Sequence, residues 1–140
     1  MNIKVNVKQI GSRRKGLAEQ DFFLEDIPHT VGELIEYSVN TCVREYNERV
    51  RAGENSAKPI SENDISEMST VGKIAFGINY GGKEADIRKA VNDALLAYED
   101  GLFRIFIGEN EAGKTDENIN IKENDSVTFI RLAMLAGGMF

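Results

Sequence analysis

Apolar and polar residues alternate with a period of two at the start of the chain. Within residues 2–8, isoleucine and valine take every second position, and asparagine and lysine fill the positions between them. This pattern is typical of a strand that buries one of its faces. Glycines and polar residues at 11–16 predict a turn, and the apolar run at 22–24 predicts a returning strand. The chain is therefore expected to open with a β-hairpin.

A helical period replaces this alternation after residue 30. Thr30 followed three residues later by Glu33 is a capping-box pattern and predicts the start of a helix. Gly53 predicts its end. Apolar residues recur between these limits at spacings of three and four, and they form one face: Val31, Leu34, Ile35, Val39, Cys42, Val43 and Tyr46. A long helix that packs on the sheet through this face is expected.

The middle of the chain predicts one more strand and one more helix. Residues 54–70 are polar and poorly periodic, with a start signal at Ser61–Asp64 for at most a short helix, so they are interpreted as a surface segment. Apolar residues at 74, 76, 78 and 80 alternate as in a strand. Helical spacing runs from about Lys83 to Asp100, and Gly101 is a suitable stop.

Two further strands are predicted in the C-terminal part. The first covers 102–107, and the last runs from about Ser126 to Met134, after an acidic, asparagine-rich loop. On this last strand Ile130 and Leu132 share one face, while Phe129 and Arg131 share the other. Either the strand is bulged, or its second face is an apolar docking surface.

Composition and charge narrow the class of protein. The chain has 140 residues, ordinary for a single domain that buries a core, and a net charge of −6 that argues against a strongly basic nucleic-acid binder. Five cations and no acid lie within residues 1–16, including Arg13 and Arg14 at the expected hairpin tip. A small basic end on an acidic body suits docking to proteins.

Membrane, disulfide and metal chemistry are not expected. No apolar run approaches the roughly 20 residues that span a bilayer, and no secretory segment is recognised, so a cytoplasmic location is expected. Cys42 is the only cysteine and His29 the only histidine, which excludes an intramolecular disulfide and a cysteine or histidine metal cluster. Cys42 lies on the apolar helix face and is interpreted as a packing residue, and His29 as a solvated loop residue. No catalytic residue, metal or cofactor is predicted.

The segment Gly108–Thr115 fits the phosphate-binding pattern GxxxxGK[ST] and follows a predicted strand. Such a loop must open onto a helix whose N-terminus faces the phosphate. Residues 116–125 are rich in turn formers, and Glu109 and Glu111 would place negative charge inside the loop. An acidic hairpin loop is therefore expected in place of a nucleotide site.

The order of these features resembles the ubiquitin-like β-grasp superfamily. The resemblance lies in the N-terminal hairpin, the helix entered through Thr30–Leu34 (TVGEL), and a final strand that leads into Leu135–Gly138 (LAGG). The helix start is similar to that of the small sulfur carriers of molybdopterin and thiamine synthesis. The chain also resembles bacterial ubiquitin-like modifiers that are encoded beside their conjugation enzymes.

The resemblance implies an α+β fold with a single ubiquitin-like domain over residues 1–140. It covers 1–52 and 102–138, so about 53–101 is expected to be an inserted strand–helix unit between the first helix and the later strands. Residues from about 135 to 140 are expected to form a flexible tail. The partner-binding candidates are Arg13, Arg14, Ile130, Leu132, Met134 and Leu135.

The resemblance also implies a function as a protein modifier that is itself not an enzyme. Its reactive group would be the carboxylate of Gly138, beside Gly137, after adenylation by a ubiquitin-activating-like enzyme. A peptidase of metalloprotease type would first cut between Gly138 and Met139, and a conjugating enzyme would pass the chain to target proteins. The alternatives are a sulfur carrier that forms a C-terminal thiocarboxylate and an adaptor of the same fold that is never conjugated.

Overall fold

A computed structural model describes residues 1–10, 17–55, 67–78, 80–81 and 83–132. The described residues form an α+β structure with a mixed five-stranded sheet and three helices. The strands are β1 (Asn2–Ile10), β2 (Leu17–Phe23), β3 (Phe103–Ile107), β4 (Asn110–Glu111) and β5 (Ser126–Leu132). The helices are α1 (Val31–Asn55), α2 (Glu67–Ala75) and α3 (Ile87–Glu99).

The first and last strands lie side by side in the middle of the sheet. The strand order is β2-β1-β5-β3-β4, with β1 and β5 parallel and the other neighbours antiparallel. The β1–β5 register runs without interruption from Lys4 opposite Ser126 to Ile10 opposite Leu132. A parallel pair requires a long crossover, and here the crossover contains all three helices.

One face of the sheet carries the core. The inward residues of β1, β3 and β5 are completely or almost completely buried: Ile3, Val5, Val7, Phe103, Ile105, Val127 and Phe129. Every residue of the predicted apolar face of α1 is buried as well, from Val31 to Tyr46. Phe76 packs edge-to-face against Phe103 and Phe129, with ring centroids 5.3 and 5.0 Å apart, and so connects the region after α2 to the sheet.

The start of α1 confirms the predicted capping box, except that the backbone amide bonded to the Glu33 carboxylate belongs to His29 and not to Thr30. The Thr30 Oγ1 accepts a hydrogen bond from the Glu33 backbone N–H at 3.1 Å. The Glu33 carboxylate accepts from the backbone N–H of His29, one residue before the cap, at 2.8 Å. Two further amides of the first turn, at Val31 and Gly32, donate to backbone carbonyls of Glu117 and Thr115. The N-terminal amides of α1 are thus satisfied within the protein.

The predicted end of α1 at Gly53 is wrong, because the helix continues to Asn55. Glycine inside a helix costs roughly 1 kcal/mol relative to alanine. Val50, one turn earlier, is only 2% exposed, and Arg51 forms an ion pair with Glu84 at 2.6 Å. Contacts of this last part of the helix with the rest of the protein therefore outweigh the glycine.

The predicted strand over residues 74–80 is also wrong. Residues 67–75 form α2, in which Val71 and Ala75 are buried at helical spacing. Gly77 has φ +71°, in the left-handed region, so the chain leaves the helix here and does not extend into a strand. The described part of residues 53–101 thus contains helices and no strand, so the expected strand–helix unit is not formed there. The helix start signal at 61–64 lies outside the described residues. The expected surface segment does not extend to residue 70, because residues 67–70 belong to α2 and Ser69 is buried.

The remaining elements agree with the expectations. α3 lies within the predicted range, its N-cap is Asp86, and Gly101 follows it with φ +77°. β3 and β5 are present, and β5 is described as far as Leu132. The turn at 11–16 and the expected continuation of β5 to Met134 lie outside the described residues. Among the described helices, none has the length and apolarity needed to cross a bilayer.

Candidate functional site

Two of the residues that the sequence singled out lie on the last strand. Ile130 and Leu132 belong to β5, and the Leu132 backbone N–H donates to the Leu102 carbonyl at 3.1 Å. The other predicted site residues lie outside the described part of the chain: Arg13, Arg14, Met134, Leu135, Gly137, Gly138 and Met139. The structure therefore defines the strand that leads toward the predicted tail.

The pairing of β5 decides between the two interpretations of its alternation. Its register is continuous with both β1 and β3, so β5 has no bulge. Val127 and Phe129 are fully buried on the inner face, and Ile130 and Leu132 take the opposite parity. The second face of β5 is accordingly an apolar part of the outer surface of the sheet.

Four apolar residues on this outer surface form what we call the outer patch: Ile10, Phe106, Ile130 and Leu132. Ile10 lies opposite Leu132 in the parallel ladder, and Phe106 is opposite Thr128, the outward neighbour of Ile130 along β5. Ile10 is 48% exposed, and the other three are partly exposed. Three strands thus contribute apolar side chains to one surface.

Two cations adjoin the outer patch. Lys8 and Arg104 are the ladder partners of Ile130 on its two sides, and both are exposed. Sequence reasoning found Ile130 and Leu132 but missed Ile10 and Phe106. The sequence could have identified Ile10, because it occupies an outward-facing position of β1 and the other residues at such positions are polar. The arrangement favours contact with a partner that offers apolar groups beside acidic ones.

Arg131 points to the inner side of β5, where an apolar residue would be usual. Its guanidinium lies 3.4 Å from the Ala75 carbonyl at the end of α2 and close to the Cα of Gly77. A side chain on Gly77 would come within 3.1 Å of the guanidinium, so the lack of one makes room for the arginine. Burial lowers the pKa of Arg131. The carbonyls at a helix C-terminus favour a cation there, so α2 supports the end of β5.

Cys42 is a packing residue, as the sequence predicted. It is fully buried, and its Cβ lies where α1 approaches Gly72 of α2. Burial raises the pKa of its thiol, so the nucleophilic thiolate is disfavoured. Across the described residues, no three or more His, Cys, Asp and Glu side chains lie together in a way that could hold a metal ion.

The segment Gly108–Thr115 forms the predicted hairpin loop. Gly108 turns the chain with φ +61°, and the short β4 follows. Through residue 125 the chain then contains turns and no helix. The nearest helix start, that of α1, already donates its amides to carbonyls of Thr115 and Glu117. Residues 108–115 therefore do not form a phosphate-binding loop, although their sequence fits the pattern of one.

Comparisons with protein-family models, with curated proteins and with solved structures found no match to this chain.

Proposed function

We propose that this protein is a ubiquitin-like modifier of β-grasp type, attached to target proteins through Gly138. The observation that carries the proposal is the central position of β5, which pairs in parallel with β1 and runs toward the sequence Ala136-Gly137-Gly138. The strand order β2-β1-β5-β3-β4, with one long helix packed on its inner face, supports the same assignment.

The proposed chemistry takes place at the carboxylate of Gly138. The carboxylate attacks the α-phosphate of ATP in an adenylating enzyme, which forms an acyl-adenylate and releases pyrophosphate. A cysteine thiolate of the enzyme displaces AMP to form a thioester, and a target amine then displaces the thiolate to form an amide. Glycines suit this task because a chain without Cβ atoms can pass through a narrow enzyme channel.

Processing has to precede activation. In the sequence the Gly138 carbonyl forms a peptide bond with Met139, and an amide carbonyl cannot be adenylated as a carboxylate can. A peptidase that hydrolyses this bond removes the segment that begins with Met139 and exposes the carboxylate. Such a peptidase, an adenylating enzyme and a conjugating enzyme are the proposed partners.

The outer patch is the proposed docking surface for these enzymes. It lies on the same strand that leads to the tail, so a bound enzyme could hold the sheet while its active centre receives the chain end. Lys8 and Arg104 beside the patch favour an enzyme surface with apolar groups and carboxylates. Arg13 and Arg14 remain further candidates from the sequence.

Substitution of Gly138 tests the proposal in cells that encode the protein. An antibody against the protein itself is the better probe, because the Met1 amino group donates to the Leu24 carbonyl at 2.8 Å and a tag there would disturb β1. We expect a ladder of higher-mass species with the natural chain and with Met139→Ala, and none with Gly138→Leu. A ladder that persists in Gly138→Leu would refute conjugation through this residue.

The alternatives give different products in the same cells. A sulfur carrier would show no ladder, and its intact mass would reveal a thiocarboxylate at Gly138. A non-conjugated adaptor, which the apolar outer patch favours, would keep Met139 and Phe140 and would bind its partners equally well as Gly138→Leu. Intact-mass measurement of the protein from these cells separates the three functions.

A further inference from the structure

A groove lies beside the β3–β4 hairpin at the edge of the sheet, and Arg104, which adjoins the outer patch, is one of its lining residues. A cavity of about 710 Å³ is formed between the end of α3, the β3–β4 hairpin and the loop at 113–116. It adjoins a second cavity of about 330 Å³ beside the start of α1. Glu99, Thr115 and Asp116 line both cavities, so we treat the two as one feature, the side groove.

Negative charge dominates the side groove. Its carboxylates outnumber its two cations, Arg104 and Lys114. The carboxylates are those of Glu33, Glu36, Glu99, Glu111 and Asp116. Glu111 is 3.9 Å from Arg104. Within the described part of the chain, no lysine or arginine forms an ion pair with Glu99 or Asp116.

The position of Glu99 is unfavourable in the free protein. It is the last residue of α3, where the helix dipole repels a carboxylate, and the last turn of α3 contains no basic residue. A cation bound beside Glu99 would interact with the carboxylate and with the helix C-terminus at once. The fold thus supplies two sources of negative potential at the same place.

The walls of the groove are held in place before anything binds. The Tyr98 hydroxyl is directed at the carbonyls of Ala112 and Gly113, which ties α3 to the loop. The next part of the loop accepts hydrogen bonds from the first turn of α1 through Thr115 and Glu117. A ligand would therefore meet a preformed surface and lose little binding energy in ordering it.

We propose that the side groove binds an extended segment of another protein through a lysine or arginine side chain. The cation lies near Glu99 and Asp116, and its methylene stem packs on the ring of Tyr98, which lines the larger cavity. Two adjoining cavities of about 710 and 330 Å³ can hold several residues of a peptide, and the excess of carboxylates disfavours phosphate ligands. This binding does not depend on the chemistry proposed for Gly138.

Fluorescence anisotropy with a labelled peptide tests the proposal on the full chain. The probe is a heptapeptide in which serine alternates with arginine and lysine, and its control carries glutamate at the charged positions. We expect the basic peptide to bind, with an affinity that falls as salt rises, and the acidic peptide not to bind. Glu99→Lys should weaken binding at least about tenfold, a difference of roughly 1.4 kcal/mol.

Glu48→Lys is the matched control. Glu48 is exposed on α1 and does not line the groove, so this variant changes the net charge equally and should bind almost as the natural chain does. Equal losses of affinity in Glu48→Lys and Glu99→Lys would show that the peptide responds only to the net charge of the protein, which would overturn the proposal. Unchanged binding in Glu99→Lys would overturn it as well.

Three further measurements keep the outcome clear. Thermal unfolding should show Glu99→Lys at least as stable as the natural chain, because the substitution removes a carboxylate from a helix C-terminus. Asp116→Asn, a smaller change in the same groove, should weaken binding in the same direction, and unchanged affinity there would contradict the proposal. Sedimentation analysis should find a monomer. Self-association lost in Glu99→Lys would identify a second copy as the occupant and refute the proposed partner.

Discussion

Cys42 shows how tightly single residues are packed where α1 crosses α2. A Cβ on Gly72 would come within 2.9 Å of the Cys42 Cβ and 2.5 Å of the Tyr80 hydroxyl oxygen. Tyr80 in turn stacks on Tyr46, with ring centroids 4.1 Å apart. Burial raises the pKa values of Cys42 and Tyr80, so both groups stay protonated in the folded protein. This crossing is therefore densely packed and disfavours a reactive thiolate.

The stability of the protein should fall at alkaline pH because of this thiol. The unfolded thiol loses its proton above about pH 9, its ordinary value, while the folded thiol keeps it. The unfolded state therefore binds fewer protons, and the free energy of unfolding decreases with rising pH by up to about 1.4 kcal/mol per pH unit. Urea titrations on both sides of pH 9 should show a smaller slope for Cys42→Ala. An equal slope would contradict the assignment.

Gly72→Ala should destabilise the protein although alanine is the better helix former. The added methyl would meet the Tyr80 hydroxyl, the Cys42 Cβ and the Ile78 side chain at 3.0 Å or less. Overpacking of this kind costs about 1–3 kcal/mol, more than the roughly 1 kcal/mol gained in helix propensity. Chemical denaturation measures the difference. A stabilised variant would show that α1 and α2 are not in contact at Gly72.

At the scale of elements, the start of α1 depends on side-chain caps that the sequence reveals. Thr30 and Glu33 form the local hydrogen bonds, and the loop at 115–119 supplies backbone carbonyls from far along the chain. The local part was predictable because a capping box involves residues three apart. The nonlocal part was not, because no pattern in residues 115–119 indicates which helix they cover.

Thr30→Ala should lower the free energy of unfolding by about 1 kcal/mol, because the Glu33 amide loses its acceptor in the first turn. Thr30→Ser keeps a hydroxyl and should lose much less. Denaturant unfolding of both variants measures the effect. Equal losses in the two would indicate that the threonine methyl, and not the cap, is the stabilising group.

The missed helix α2 has a physical explanation at the same scale. Residues 74, 76 and 78 alternate as in a strand, but the run is short, and the buried Val71 and Ala75 continue a helical spacing toward it. Gly77, in the left-handed region, ends the helix in the middle of the apparent alternation. Helices α1 and α3 could be predicted because their helical patterns are longer and are followed by stop signals. The exact end of α1 could not be predicted.

At the scale of the whole molecule, the proposed function depends on which strands become neighbours. The parallel pairing of β1 with β5 brings Ile10 beside Leu132, more than 100 residues away in sequence. Strand alternation predicts which face each residue occupies but not the order of strands. The outer patch could therefore be predicted only in part, through Ile130 and Leu132. The side groove was not predicted, because its residues come from α1, α3, the β3–β4 hairpin and the loop at 113–116.

Ile130→Asp should abolish the conjugate ladder while the protein stays folded. Ile130 lies on the outer face, so an aspartate there would be placed in the proposed enzyme contact without entering the core. Its cost in stability should remain near 1 kcal/mol. Leu96→Asp is the matched control, since Leu96 is 58% exposed on α3. Loss of the ladder in both variants, or in neither, would contradict docking through the outer patch.

Mass spectrometry of tryptic digests from cells that encode the protein tests conjugation most directly. Trypsin cuts after Arg131, so each modified target should retain the remnant Leu132–Gly138 on a side-chain amine. We expect peptides of other proteins that carry this remnant, and no conjugate that contains Met139. Recovery of the chain only in unattached form, with Gly138 still joined to Met139 and Phe140, would contradict it.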